Sequence, residues 1–297
     1  MTRPAPRRID LIRESQTNLP AVLPEINRDE FEQLRNLIQA RSGIHLTTQK
    51  AMLLRTRLLK RLRALNFSNY GEYCDYLKSS TQDGEVRHLL DAIATNVTEF
   101  FRESAHFDFL KSTVFPRDAK LPAIRILSAG CSTGEEAYSL AMCAIEHFGP
   151  DAYRKVQVVA GDISSKALAQ ARTGVYSAER VKTMPTARLQ RFFLRGTGSR
   201  EGLVRVAPEV QAMVDFQPMN LVEPLKVNGT FNAVFCRNVA IYFSRQTQID
   251  IFKRLENVLT PGGHLFIGHS ESMMFSSPGL TFVQPSVYRN SVFPGLG

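Results

Sequence analysis

From Leu121 onward the chain consists of short apolar runs alternating with stretches of helical periodicity, a pattern that a parallel sheet covered by helices satisfies and a helical bundle does not. Arg125 to Ser128, Val156 to Ala160, Met213 to Gln217, Ala233 to Cys236 and His264 to Ile267 read as strands, and Glu135 to Phe148 as the helix that follows the first of them. One interruption stands out. Between Arg191 and Val206 two β-like runs, RFFLRG and GLVRV, flank the turn-rich GTGSREG, which predicts a small antiparallel hairpin inserted into the alternation. The preceding segment, Arg28 to about Leu90, differs: Phe31, Leu34, Leu37 and Ile38, then Met52, Leu53, Leu58, Leu59 and Leu62, recur at helical spacing with almost no strand signal. The expected architecture is therefore an all-α N-terminal domain followed by an α/β domain with a mostly parallel sheet.

The rest of the composition excludes several classes. No apolar run reaches the roughly 18 to 20 residues that a membrane-crossing helix needs. Met1 to Pro20 carries Arg3, Arg7, Arg8 and Arg13 but no apolar core, so residues 1–23 read as a flexible polar tail and not as a secretory signal. Cys74, Cys131, Cys143 and Cys236 lack metal-ligand spacing and lie in apolar or loop segments, which suits reduced thiols and a cytoplasmic protein without a structural metal. The net charge of +9 implies an anionic partner, without choosing among nucleic acid, membrane surface and acidic protein. Within Lys50 to Leu65, the residues Arg55, Arg57, Lys60, Arg61 and Arg63 interleave with leucines. No acidic residue occurs from His45 to Gly71. A solvated helix face is the ordinary account of such a run; a docking face for an acidic partner is the functional one.

The segment richest in chemistry is Ile126 to Met142, ILSAGCSTGEEAYSLAM, in which a strand ends in a loop bracketed by Gly130 and Gly134 and opens into a helix. Glycines admit a ligand close to the backbone, and the helix start presents free N–H groups. Ser132 occupies the place where a dinucleotide fingerprint needs its middle glycine, and Glu135 and Glu136 put two acids in the first helical turn. Acids there repel a pyrophosphate but suit a ligand bearing hydroxyls and positive charge, which argues against NAD or ATP and for S-adenosylmethionine. Dipole complementarity alone accounts for at least one of these two acids. The other strands end in polar residues at the same edge. Asp162, in VVAGDIS, is either a hydrogen-bond acceptor for ribose or adenine or an N-cap for the helix near Ser164. Asn220, in PMNLVEP, reads as an adenine contact or a turn asparagine, and FCRNVAIYF places Arg237, Asn238 and Tyr242 at the rim. TNVTEFFRE, Thr95 to Glu103, reads on its own as a capped helix start with Thr98 as the cap and Phe100 and Phe101 as core. His269 reads as a satisfied structural histidine.

Taken in order, TNVTEFFRE, SAGCSTGEEAYSLAM, GDIS, ARTGVY, FFLRGTG, NL, FCRNVAIYF and LTPGGHLFIGHSES resemble the chemotaxis receptor methyltransferase family (CheR) from about Glu25 to Arg289. The resemblance implies a Rossmann-like class I methyltransferase domain over residues 89–297 with a β-subdomain inserted near residues 188–210, preceded by the helical domain, residues 24–88. It implies an S-adenosylmethionine site formed by Asn96, Thr98, Arg102, Glu135, Asp162, Asn220, Leu221, Arg237 and Asn238, with Arg102 and Tyr242 nearest the transferred methyl group. It assigns Arg55, Arg57, Lys60, Arg61 and Arg63 to docking on the glutamate-rich cytoplasmic helices of chemotaxis receptors, and the RGTG turn, Arg195 to Gly198, to a grip on a receptor C-terminal peptide. A monomer without nucleic-acid or membrane insertion is implied as well. Ala240 stands where the family has a larger apolar residue, which predicts looser packing under Tyr242. Two rivals stay open at this point. A nucleic-acid methyltransferase fits the charge but usually carries a Pro-Pro-aromatic motif where this chain reads RNVAIYF, and a non-catalytic adaptor would keep the fold without turnover.

Overall fold

The computed structural model describes residues 24–79, 83–271 and 279–291, so the expected tail, residues 1–23, lies outside the described residues. Ten strands are β1 (Ile124–Ala129), β2 (Val156–Asp162), β3 (Val175–Ser177), β4 (Phe193–Arg195), β5 (Leu203–Val206), β6 (Val214–Pro218), β7 (Phe231–Cys236), β8 (Leu259–Ile267), β9 (Leu280–Gln284) and β10 (Val287–Asn290). Seven of them form one sheet in the order β6-β2-β1-β7-β8-β10-β9. The first five in that order run parallel, and β10 and β9 close the edge antiparallel. Strands covered on both faces need apolar residues at nearly every position. Accordingly β7, FNAVFC, is buried throughout, and β1 is buried except for Arg125. The C-terminal β9–β10 hairpin was not legible as strand, because Thr281, Phe282 and Val283 face solvent on an edge. The expected hairpin is present as β4–β5. A third strand, β3, completes a separate antiparallel sheet in the order β3-β5-β4.

The helical domain comprises α1 (Arg28–Ser42), α2 (Ala51–Ala64), α3 (Tyr70–Lys78) and α4 (Asp83–Ile93). A reciprocal capping box between Asn27 and Glu30 starts α1, and Gly43, with φ 74°, stops it. In α2, Leu54, Leu58 and Leu62 repeat every four residues and bury one face. They meet Leu34 and Ile38 of α1 and Leu89, Leu90 and Ile93 of α4 in one core. Truncating a residue as buried as Leu58 to alanine would cost about 2–5 kcal/mol. Among the described residues no helix is long and apolar enough to cross a membrane.

The main helices that follow β1, β2 and β7 are α5 (Glu135–Phe148), α6 (Ser165–Thr173) and α7 (Arg245–Asn257). In the sheet order β1 has β2 on one side and β7 on the other, so the connections leaving β1 and β7 diverge and a crevice opens at their carboxyl ends.

Candidate active site

A cleft occupies this crevice. Its floor is the glycine loop between β1 and α5, which Gly130 and Cys131 hold down by donating their N–H groups to the Gly161 carbonyl at 2.7 and 2.9 Å. Gly130 has φ 84°, and a Cβ on it would lie 2.4 Å from Val239 Cγ2. Any side chain there would wedge the glycine loop away from the loop after β7. Asp162, at the end of β2, accepts from Ser132 N–H on one oxygen and Ser164 N–H on the other, each at 2.8 Å. The helix cap itself is Ser164, whose hydroxyl accepts from Ala167 N–H. Burial raises the Asp162 carboxyl, against the opposing pull of those two N–H groups. Ser132 Oγ, also buried at this loop, has no protein partner.

The helical domain supplies the opposite wall. Ser42, Ile44, Ile93, Ala94 and Thr95 line the cleft. Ile44 bridges Phe243, and His45 N–H donates to the Tyr242 carbonyl at 2.8 Å. Asp91 of α4 reaches across to the α/β side, accepting from the Ser164 and Ser165 hydroxyls at 2.8 and 2.7 Å. Arg57 of α2 reaches under the connection, donating to the Ile93 carbonyl, to the Ala94 carbonyl at 3.4 Å and to Thr95 Oγ1 at 3.1 Å.

That connection continues as TNVTEFFRE. No helix starts at Thr98, contrary to the capped-helix expectation: the next helix is Ala105–Phe109, and Phe101 and Glu103 both adopt φ 56°. Left-handed backbone at two non-glycine residues is held in place by neighbours. Phe101 N–H donates to Ser139 Oγ at 3.0 Å, Arg188 lies 4.0 Å over the Phe101 ring, and Arg237 donates to the Arg102 carbonyl. Phe100 and Phe101 do pack against the main core. The chain is thereby bent so that Asn96, Thr98 and Arg102 all line the cleft, with Arg102 Nη1 donating to the Val97 carbonyl at 3.2 Å.

At the cleft, Arg237 lies between two carboxylates, Glu103 at 3.4 Å and Glu136 at 3.3 Å. Burial raises the Glu136 carboxyl, opposed by Arg237. At Glu103 burial also pushes upward, but Arg237, His269 and His106 outweigh it and hold the carboxyl below its usual range. His106, 1% exposed, is pushed down to about 4 by burial and by Arg237. Glu103, His106 and His269 bring ligand atoms within 4.8 Å of one another, a grouping that could hold a metal ion, but the cation already beside Glu103 is the Arg237 guanidinium. His269, expected to be a structural histidine, has a side chain 59% exposed and lies 4.0 Å from Glu103.

Of the residues implied by sequence, Asn96, Thr98, Arg102, Asp162, Asn220, Leu221, Arg237, Asn238 and Tyr242 converge on the one cleft. Glu135 does not line it. Glu135 is fully buried, accepts from Thr133 Oγ1 at 2.6 Å and faces Arg180 at 3.5 Å, while Glu136, its neighbour, takes the cleft position. The Asn220 amide is engaged by the Arg41 carbonyl and Glu223, at 2.9 and 2.8 Å. The basic residues of α2 divide. Arg55 donates to the Pro24 carbonyl at 2.8 Å, Arg57 holds the connection, and Arg61 pairs with buried Glu85 at 2.5 Å. Lys60 and Arg63 are exposed, and among the described residues no ion pair holds either. Sequence reading missed the apolar wall of Ile163 and Met219 and the buried Glu271, two of whose partners, the Asn238 and Ala240 N–H groups, lie far away in the chain.

Residues 96–287 match the family described as CheR methyltransferase, SAM binding domain, and residues 29–94 match the CheR methyltransferase all-alpha domain. The chain is 40% identical to a chemotaxis protein methyltransferase of Escherichia coli (strain K12) over 87% of its own length and 89% of the relative's. It is 42% identical to one from Salmonella typhimurium, covering 82% of this chain and 83% of that one. A chemotaxis protein methyltransferase 2 of Pseudomonas aeruginosa is 39% identical over 88% of this chain and 92% of the relative. With a cleft of this make-up at the switch point of the sheet, the chain belongs to the CheR chemotaxis protein methyltransferase family, an all-α domain joined to an S-adenosylmethionine-binding methyltransferase domain.

Proposed function

We propose that the chain transfers the methyl group of S-adenosylmethionine to glutamate side chains of the cytoplasmic domain of chemotaxis receptors, leaving glutamate methyl esters. The observation that carries this reading is the convergence of Arg102, Asn238 and Tyr242 on the same cleft as Asp162 and Glu136. The cleft fits the cofactor's chemistry. Asp162 and Glu136 are carboxylates that would suit a ligand bearing hydroxyls and positive charge, Ser132 Oγ and Arg237 Nε are buried polar atoms without protein partners, and Ile163, Met219 and Leu221 would offer an apolar wall to a purine. Asn96, Thr98, Arg102, Asp162, Asn220, Leu221, Arg237 and Asn238 are the proposed cofactor contacts; Glu135 acts on them through Arg180, which also donates to the Thr98 carbonyl at 2.7 Å.

S-adenosylmethionine supplies an electrophilic methyl group bonded to a sulfonium sulfur. A glutamate carboxylate, with a solution pKa of about 4.3, is already ionised near neutrality and needs no general base. The protein's task is alignment and exclusion of water. Arg102 steers a carboxylate by charge, and the Tyr242 hydroxyl orients the acceptor oxygen. In this reading the helical domain, which α4 extends to Ile93 past the boundary expected at residue 88, recognises the receptor, through Lys60 and Arg63 in the first place, and the α/β domain that follows carries out transfer. The insert near residues 188–210 grips a receptor C-terminal peptide at Arg195 to Gly198. The enzyme works in the cytoplasm as a monomer, without metal or nucleic acid.

The test is incubation with methyl-labelled cofactor and membranes carrying chemoreceptors. Label on the receptor band that survives nuclease and leaves as methanol in mild alkali is the expected result. Label that resists alkali, or no label on receptor, would overturn the ester reading.

A further inference from the structure

The residue that organises the rim after β7 lies outside the cleft. Glu271 follows β8 in a tight turn, its N–H donating to the Gly268 carbonyl at 2.9 Å, and the residue is 1% exposed. Its carboxylate takes three backbone N–H groups: Oε1 from Ala240 at 2.7 Å, and Oε2 from Asn238 at 2.9 Å and Gly268 at 2.6 Å. Asn238 has φ 59°, and Ala240 opens the short 3-10 turn Ala240–Tyr242. A left-handed non-glycine backbone is uphill and persists only where its surroundings hold it. One carboxylate therefore fixes two points, Asn238 and Ala240, of the segment that brings Asn238 and Tyr242 to the cleft.

We infer that Glu271 is a positioning residue for methyl transfer, setting the left-handed Asn238 and the Tyr242 turn and, through them, cofactor affinity and acceptor alignment. This rests on the cleft being the cofactor site. The three donors specify a carboxylate. A carboxamide has one acceptor oxygen, so satisfying Asn238 and Gly268 would turn its NH₂ against the Ala240 N–H. The charge matters as well, because hydrogen bonds to an ionised acceptor are the stronger kind.

The experiment uses the full chain with Glu271→Gln and, separately, Gly268→Ala, each measured well below its melting temperature with circular dichroism as the check on folding. Calorimetry gives the S-adenosylmethionine Kd, and initial rates give kcat and KM for cofactor and receptor. Glu271→Gln is expected to weaken cofactor binding about tenfold and to lower kcat. Gly268→Ala disturbs the same node without removing the charge: its φ lies outside the left-handed region, and its Cβ would sit 2.6 Å from Asn238 Nδ2 and 2.8 Å from Glu271 Oε2. It is expected to shift Kd and kcat in the same direction by less, and it carries the test if the glutamine variant does not fold. A folded variant with wild-type Kd and kcat would reduce Glu271 to a fold contact and overturn the inference while leaving the cleft reading intact. Wild-type protein that gives no heat with S-adenosylmethionine would overturn the cleft reading and this inference with it.

Discussion

Helix α2 and the rim of the sheet both gather charged residues that read as functional, yet they use them differently. On α2 the charge is dense along the sequence and then divided in space: Arg57 and Arg61 are held by the Ile93–Thr95 connection and by Glu85, leaving Lys60 and Arg63 outward. At the rim the charge is scattered over widely separated segments and then gathered, with Arg102, Glu136, Asp162 and Arg237 around one cavity. Local density of charge thus says little about what a side chain is for; convergence from distant positions says more. Arg57 illustrates the point best, since it belongs to the basic helix by sequence and to the cleft wall by contact.

Arg102→Ala tests the rim most severely. It removes a cation from the cleft while the bond from Arg237 to the residue's carbonyl survives, and kcat/KM should fall about 100-fold or more in a folded protein. Retained activity would take Arg102 out of the chemistry. The comparison sharpens with a pair of variants on α2. Lys60→Ala with Arg63→Ala should raise the receptor KM roughly three- to tenfold, more at low salt than at high, and leave the cofactor Kd unchanged. Arg57→Ala should do the reverse, weakening cofactor binding severalfold by releasing Ile93 to Thr95, with a lesser change in receptor KM. If both variants moved the same constant, the division drawn across α2 would be wrong.

The smallest effect expected is on pH dependence. His106 and His264 are both pushed down to about 4, each chiefly by burial, with Arg237 and Arg117 respectively adding to it. The unfolded chain takes up protons near 6.5 while the folded one resists, so stability contributed by the neutral rings is complete above that pH and is lost as pH falls toward about 4. The melting temperature should be flat near neutrality and decline through that window, and His264→Gln should flatten the decline. An unchanged slope would mean that His264 titrates normally.

Strand and helix order in the α/β half was legible because buried parallel strands force apolar runs, as in FNAVFC. The edge hairpin β9–β10 was not, since Phe282 faces solvent and breaks the expected alternation of faces. Within the site, strand-end residues such as Asp162 and Asn238 could be found from topology. The choice between Glu135 and Glu136 could not, because adjacent helical positions differ by roughly 100° in direction and only the packing around Arg180 and Arg237 tells them apart. Likewise the acid that satisfies Arg61 sits on another helix, beyond the acid-free stretch that made the basic run look unpartnered.

The cleft is walled by both domains, Ser42, Ile44 and Ile93 on one side and Gly130, Asp162 and Asn238 on the other. A molecule seated in that seam acts as a keystone: its binding free energy belongs to the joint and not to either half. At saturation the helical half cannot melt without forfeiting the ligand as well, so binding ties the order of each half to that of the other.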